Sequence, residues 1–149
     1  MLNDEFIAPC GMNCRLCVNF QAMLYDLDKK GFNRMYCPGC RPRGKHCLHL
    51  QSHCNLVGRG LIKYCYECEE FPCKRLKGLD KRYRTKYRLS MIENLILIRE
   101  KGIDVFLAEE ETKWKCPDCG SLICCHNGLC LNCNLQVWQL NRKYRWGEQ

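Results

Sequence analysis

Ten of the sixteen cysteines fall into five Cys-x2-Cys pairs: Cys14/Cys17, Cys37/Cys40, Cys65/Cys68, Cys116/Cys119 and Cys130/Cys133. Two intervening residues let both sulfurs turn toward one ion, so each pair can supply half of a tetrahedral site. The same thiols in a secreted mini-protein would indicate disulfides. The opening "MLNDEFIAPC" carries acids and no apolar run of leader length, and no stretch of eighteen apolar residues occurs. The chain therefore reads as a cytoplasmic protein with no membrane partner, where thiols stay reduced and metal is the better explanation for them.

The C-terminal group, "CPDCGSLICCHNGLCLNC", is Cys-x2-Cys, a ten-residue gap, then Cys-x2-Cys. A gap of that size suits a β-hairpin with a knuckle at each end, the zinc-ribbon arrangement. The expectation is a closed zinc site of Cys116, Cys119, Cys130 and Cys133. A closed site leaves no open coordination position, so its role is folding. Cys124, Cys125 and His126 are surplus within the gap and read as hairpin-strand and turn residues in preference to a further metal or redox site.

The N-terminal group offers Cys10, Cys14, Cys17, Cys37, Cys40, Cys47, Cys54, Cys65, Cys68 and Cys73, with His46, His49 and His53 nearby. Two all-cysteine sites would use eight of these, and three sites would also need histidine. The pairing does not follow from spacing. Zinc is the expected metal, two to four ions over the whole chain. The alternative is an iron–sulfur cluster in this module, because Cys10, Cys14 and Cys17 have the Cys-x3-Cys-x2-Cys spacing of radical S-adenosylmethionine enzymes. A partial barrel needs more residues than 149, Leu16 replaces the usual aromatic residue, and no Gly-Gly-Glu-like motif follows. Those features argue against the radical chemistry and leave a plain cluster as the rival.

The formal charge of +8 looks like that of a nucleic-acid binder. Three divalent ions on twelve thiolates would reduce it to about +2, so local clustering has to carry the argument. One cluster is "KRLKGLDKRYRTKYR", with Lys74, Arg75, Lys77, Lys81, Arg82, Arg84 and Arg88 against Asp80. On one helix Lys81, Arg84 and Arg88 would share a face turned away from Tyr83 and Tyr87. A second is "NRKYRW", with Arg142, Lys143 and Arg145 beside Tyr144 and Trp146. Cations suit phosphates and flat rings suit unpaired bases, so RNA, DNA or a protein are the candidate partners. No phosphate loop, Gly-x-Ser-x-Gly or His-Glu-x2-His motif occurs, and no small-molecule substrate or catalytic residue is evident.

"CGMNCRLC", "CPGC" and "CYECEEFPC" together resemble an uncharacterised cysteine-rich family common in archaea and anaerobic bacteria. The resemblance runs from Cys10 to Leu76 and implies metal binding without an established activity. Leu50 stands where members often carry a further cysteine, so the ligand set around Cys47 and Cys54 stays open. The zinc ribbon lies outside the resemblance.

The elements that must position these thiols fall into zones: a cysteine-rich metal-binding module over 1–79, a helical connector over 80–113, a zinc ribbon over 114–135 and a basic-aromatic tail over 136–149. After Asn13 as N-cap, Leu16, Phe20, Met23, Leu24 and Leu27 recur at helical spacing and predict a helix over about 14–29 that ends at Gly31. Tyr83, Tyr87, Met91, Leu95 and Ile98 form an apolar stripe closed by Gly102, and Asp104 would cap the next helix. The expected class is a small metal-stabilised α+β protein with a helical/loop module, a helical connector and a C-terminal β-hairpin ribbon. Its expected role is that of a non-enzymatic multi-zinc binding or adaptor protein.

Overall fold

A computed structural model describes residues 2–43 and 60–147. Among the described residues five α-helices carry the architecture: α1 Val18–Leu24, α2 Lys74–Lys86, α3 Met91–Lys101, α4 Ile103–Lys113 and α5 Leu135–Leu140. No described residue lies in a β-strand. Isolated bridges, such as Ile7 with Asn13 and Lys115 with Leu122, replace sheets. The α+β expectation is thus corrected to a helix-rich fold with almost no strands.

The helix after Asn13 is shorter and more broken than its apolar spacing predicts. Asn13 does cap a turn, accepting from Arg15 N at 3.1 Å. That turn is a 3-10 segment, Cys14–Leu16, with α1 following it and a second 3-10 segment, Leu27–Lys30, ending at Gly31. Asp26 sits in the left-handed region at φ 50 and interrupts the run.

The long connector stripe is likewise split. α2 ends at Lys86, Arg88 takes φ 58, and Ser90 starts α3 by accepting from Glu93 N at 3.1 Å. The cause is Asp80. Its buried carboxylate accepts from Ser90 Oγ at 2.5 Å and Ile92 N at 3.0 Å, so it collects donors at the start of α3. Met91, Leu95 and Ile98 remain buried at helical spacing on α3. Gly102 precedes α4, and Asp104 lies in its first turn instead of at the cap.

Two apolar cores result. The first joins Ile7, Leu16, Leu76, Met91, Leu95, Phe106 and Trp114, and the second joins Val18, Ala22, Phe32, Leu131, Leu135 and Trp138. Gly11 explains one glycine of the first cysteine motif. At φ 90 its missing Cβ would lie 2.8 Å from Met91 O and 2.9 Å from Leu95 Cγ, so only glycine lets this turn press on α3. No helix of the described residues is long and apolar enough to cross a membrane.

Candidate metal centre and cationic cleft

The two C-terminal knuckles are tight turns. Gly120 N donates to Cys116 O at 2.9 Å and Asn134 N to Cys130 O at 2.8 Å, so each turn folds back on its first cysteine. The turns bring Cys116, Cys119, Cys130 and Cys133 together, with all four sulfurs within 4.8 Å of one another. Cys116 and Cys133 stand 3.6 Å apart, and Cys119 and Cys130 stand 3.4 Å apart. Four thiolates around a tetrahedral divalent ion at ~2.3 Å would be separated by about 3.8 Å, so these four could hold a metal ion.

Local donors prepare one of these sulfurs. Hydrogen bonds from Asn132 and Ser121 bring the Cys119 thiol down to about 6, nearly a thiolate at neutral pH. The Cys133 thiol moves the other way, raised chiefly by its hydrogen bond with Cys116.

The hairpin expected between the knuckles does not form. Its backbone groups make scattered bonds in place of a ladder: Ile123 N to Trp114 O at 2.8 Å and Cys124 N to Leu129 O at 2.9 Å inside the 114–135 segment, and Cys125 N to Leu16 O at 2.9 Å outside it. The gap residues are drawn into the two cores, where Cys124 and Cys125 are fully buried. Burial pushes the Cys124 thiol up to about 12 and the Cys125 thiol well above its ordinary value, so both stay protonated fillers. His126 is docked more specifically. Its Nδ1 accepts from Val18 N at 3.1 Å, which leaves the ring proton on Nε2 facing Tyr83 Oη at 3.1 Å. Burial, then the charges of Arg34 and Arg82, depress His126 to about 4, so it is neutral.

In the N-terminal module, Cys10, Cys14, Cys17, Cys37 and Cys40 line one cavity of about 480 Å³. Cys65 opens a separate 3-10 turn, Cys65–Glu67, that Cys68 closes, and Cys65 N donates to Pro9 O at 2.8 Å. Cys73 immediately precedes α2. Cys47, Cys54, His46, His49 and His53 lie outside the described residues.

The basic residues divide. Lys74, Arg75, Lys77, Lys81, Arg82 and Arg84 are exposed along α2. Arg84 Nε binds Asp80 Oδ2 at 2.6 Å. Arg88 lies beyond the helix, where it stacks over Trp146 at 4.7 Å, so the shared face of Lys81, Arg84 and Arg88 does not arise. The 141–147 segment is tied down as a strap. Trp146 Nε1 donates to Cys125 O at 2.9 Å, its backbone N donates to Asn127 O at 2.8 Å, and the ring packs edge-on against Trp114.

Beneath that strap opens a cleft of about 230 Å³ lined by Arg34, Arg142, Lys143 and Arg145 together with Tyr87, His126, Trp138 and Tyr144. No carboxylate among the described residues lines it. The sequence patterns pointed to Arg142, Lys143 and Arg145 but not to Arg34, an isolated arginine in "FNRMY" that no motif marks. Arg142 is partly committed, stacking on Phe32 at 3.8 Å and donating to Gly31 O at 3.2 Å.

No curated protein and no solved structure matches the chain. Residues 6–78 match the family described as "Protein of unknown function (DUF3795)", a stretch that contains every thiol from Cys10 to Cys73 and none of the C-terminal four.

Proposed function

We propose that this protein is a non-enzymatic binding module, scaffolded by zinc, that takes a single-stranded nucleic acid in the cleft beneath the 141–147 strap. Cytoplasmic reducing conditions would keep its thiols available for metal. The observation that supports the reading most is the lining of that cleft: four cations, no carboxylate among the described residues, and the half-buried rings of Tyr87 and Tyr144. Phosphates are held by such cations, and bases stack on such rings at about 1–3 kcal/mol each. In this reading the C-terminal ion, on Cys116, Cys119, Cys130 and Cys133, fixes the loop that delivers His126 and Asn127 to the cleft. The exposed cations of α2 extend the positive surface.

The test is fluorescence anisotropy with short single-stranded RNA and DNA. The expected affinity falls steeply with salt. Arg34→Glu together with Lys143→Glu weakens binding at least about tenfold, by loss of phosphate contacts. Salt-independent binding, or an unaffected double variant, would remove the reading and favour a protein partner.

A second reading, an iron–sulfur protein with a cluster on Cys10, Cys14 and Cys17, draws on the cavity that these three residues share. Iron with acid-labile sulfide in anaerobically purified protein would support it.

A further inference from the structure

We propose a second four-thiolate metal site in the N-terminal half, made by Cys14, Cys17, Cys37 and Cys40. It stands independently of the nucleic-acid reading and of the C-terminal ion. Spacing alone leaves the pairing of the N-terminal thiols open. The fold narrows it, because two Cys-x2-Cys pairs meet across one cavity of about 480 Å³ that also carries the thioethers of Met12 and Met35.

Backbone hydrogen bonds hold the two pairs face to face. Cys17 N donates to Cys14 O at 3.0 Å and closes the first turn. Cys40 N donates to Cys14 Sγ at 3.5 Å, a cross-pair bond of the kind that favours a thiolate sulfur. Cys37 N donates to Asn19 O at 3.3 Å and anchors the other end of the second pair to α1. Between Cys37 and Cys40, Gly39 takes φ +110, a conformation that strains other residues, and a Cβ placed on it would lie 3.8 Å from Cys14 Cβ. The second knuckle is thereby folded directly onto the first.

Cys10 borders the same cavity but belongs to a different turn. The carbonyl just before it, Pro9 O, is bonded to Cys65 N at 2.8 Å, which ties Cys10 to the Cys65–Glu67 segment. The four sulfurs of the proposed site are spread more widely than the C-terminal four, which form the one group of three or more among the described residues with all ligand atoms within 4.8 Å. Residues 32–39 have no regular secondary structure, so an ion can draw Cys37 and Cys40 inward without moving a helix. Each coordinating thiol gives its proton to solvent, and the ligand class is a divalent cation that accepts four sulfurs, zinc or mononuclear iron.

The deciding experiment uses the full chain loaded with an NMR-active cadmium isotope. The expected spectrum has a resonance coupled to the β-protons of Cys14, Cys17, Cys37 and Cys40, distinct from the one coupled to Cys116, Cys119, Cys130 and Cys133. A resonance coupled to Cys10, Cys14 and Cys17 without Cys37 and Cys40 overturns the proposal, as does the absence of any ion that joins both N-terminal pairs. Ion counting gives an independent check. Cys17→Ser and Cys37→Ser should each lower the metal content by one ion, and the double variant by that same ion. Loss of two ions in the double variant, or of none in either single variant, refutes a shared site.

Discussion

Cys119 and Cys124 sit in one loop and carry the same atom, yet their surroundings give them opposite chemistry. Cys119 is exposed, and donors from Asn132 and Ser121 bring its thiol down to about 6. Cys124 is completely buried beside Leu129 and Leu131, and burial pushes its thiol up to about 12. The first is close to a ready metal ligand, while the second is a small apolar side chain that happens to contain sulfur. The loop thus separates ligand from filler by solvent and hydrogen-bond donors, and cysteine counting misses both.

Removing the outer thiols tests that separation most strongly. A structural four-thiolate ion contributes on the order of 10 kcal/mol of folding free energy. Cys116→Ser with Cys133→Ser should therefore abolish the C-terminal ion and strip amide protection from residues 114–147. Mass spectrometry of the metal content and hydrogen exchange measure this, and unchanged protection would show that Cys116 and Cys133 hold no structural ion.

The inner half of the loop should fail by packing alone. At Gly128 a Cβ would come within 2.6 Å of the Trp146 ring, at φ +75. Gly128→Ala is expected to dislodge the strap and cost about 3 kcal/mol, read from the denaturant midpoint, with the metal content unchanged.

Next is a pH effect at His126, whose ordinary value of 6.5 is depressed to about 4 by burial first and by Arg34 and Arg82 second. Between those values the unfolded chain binds a proton that the folded protein refuses. Stability therefore falls as the pH drops from 6.5 to about 4, by up to about 3 kcal/mol from this group. His126→Gln should flatten that part of the stability curve, and parallel curves for the two proteins would show that the imidazole is not the group responsible.

The smallest effect sharpens the filler assignment. Cys124→Ala should cost about 1 kcal/mol and Cys124→Ser about 2 kcal/mol, because the hydroxyl is buried where the thiol needed no strong partner. Urea titration resolves the two, and loss of metal from either would make Cys124 a ligand.

What the sequence disclosed depended on range. The C-terminal four were legible because each knuckle is a turn of a few residues and the two lie close along the chain. The caps at Asn13 and Ser90 and the stop at Gly102 are also local chemistry, although only Asn13 and Gly102 announced themselves. The hairpin gives way to irregular turns because Cys125 N finds its partner at Leu16 O, outside the ribbon, and draws the middle of the gap into the core. The connector looked like one helix because the apolar stripe runs through Arg88, while Asp80 acts from an earlier turn to start a new helix. Arg34 entered the cleft from an irregular segment with no periodicity to reveal its direction.

The bond from Val18 N to His126 Nδ1 spans 108 positions of the chain. At a synthesis rate of about 5–20 residues per second, the two partners leave the ribosome roughly 5–20 s apart. Over that interval the start of α1 has no imidazole to bind, and the face that later meets Cys124, Leu131 and Trp138 is open. Side-chain motions and turn closure finish in microseconds, so the first cysteine motifs are exposed to the metals and oxidants of their surroundings for a million times longer than they need to fold locally. The order of synthesis leaves the N-terminal thiols in contact with solvent and its ions before the C-terminal loop exists.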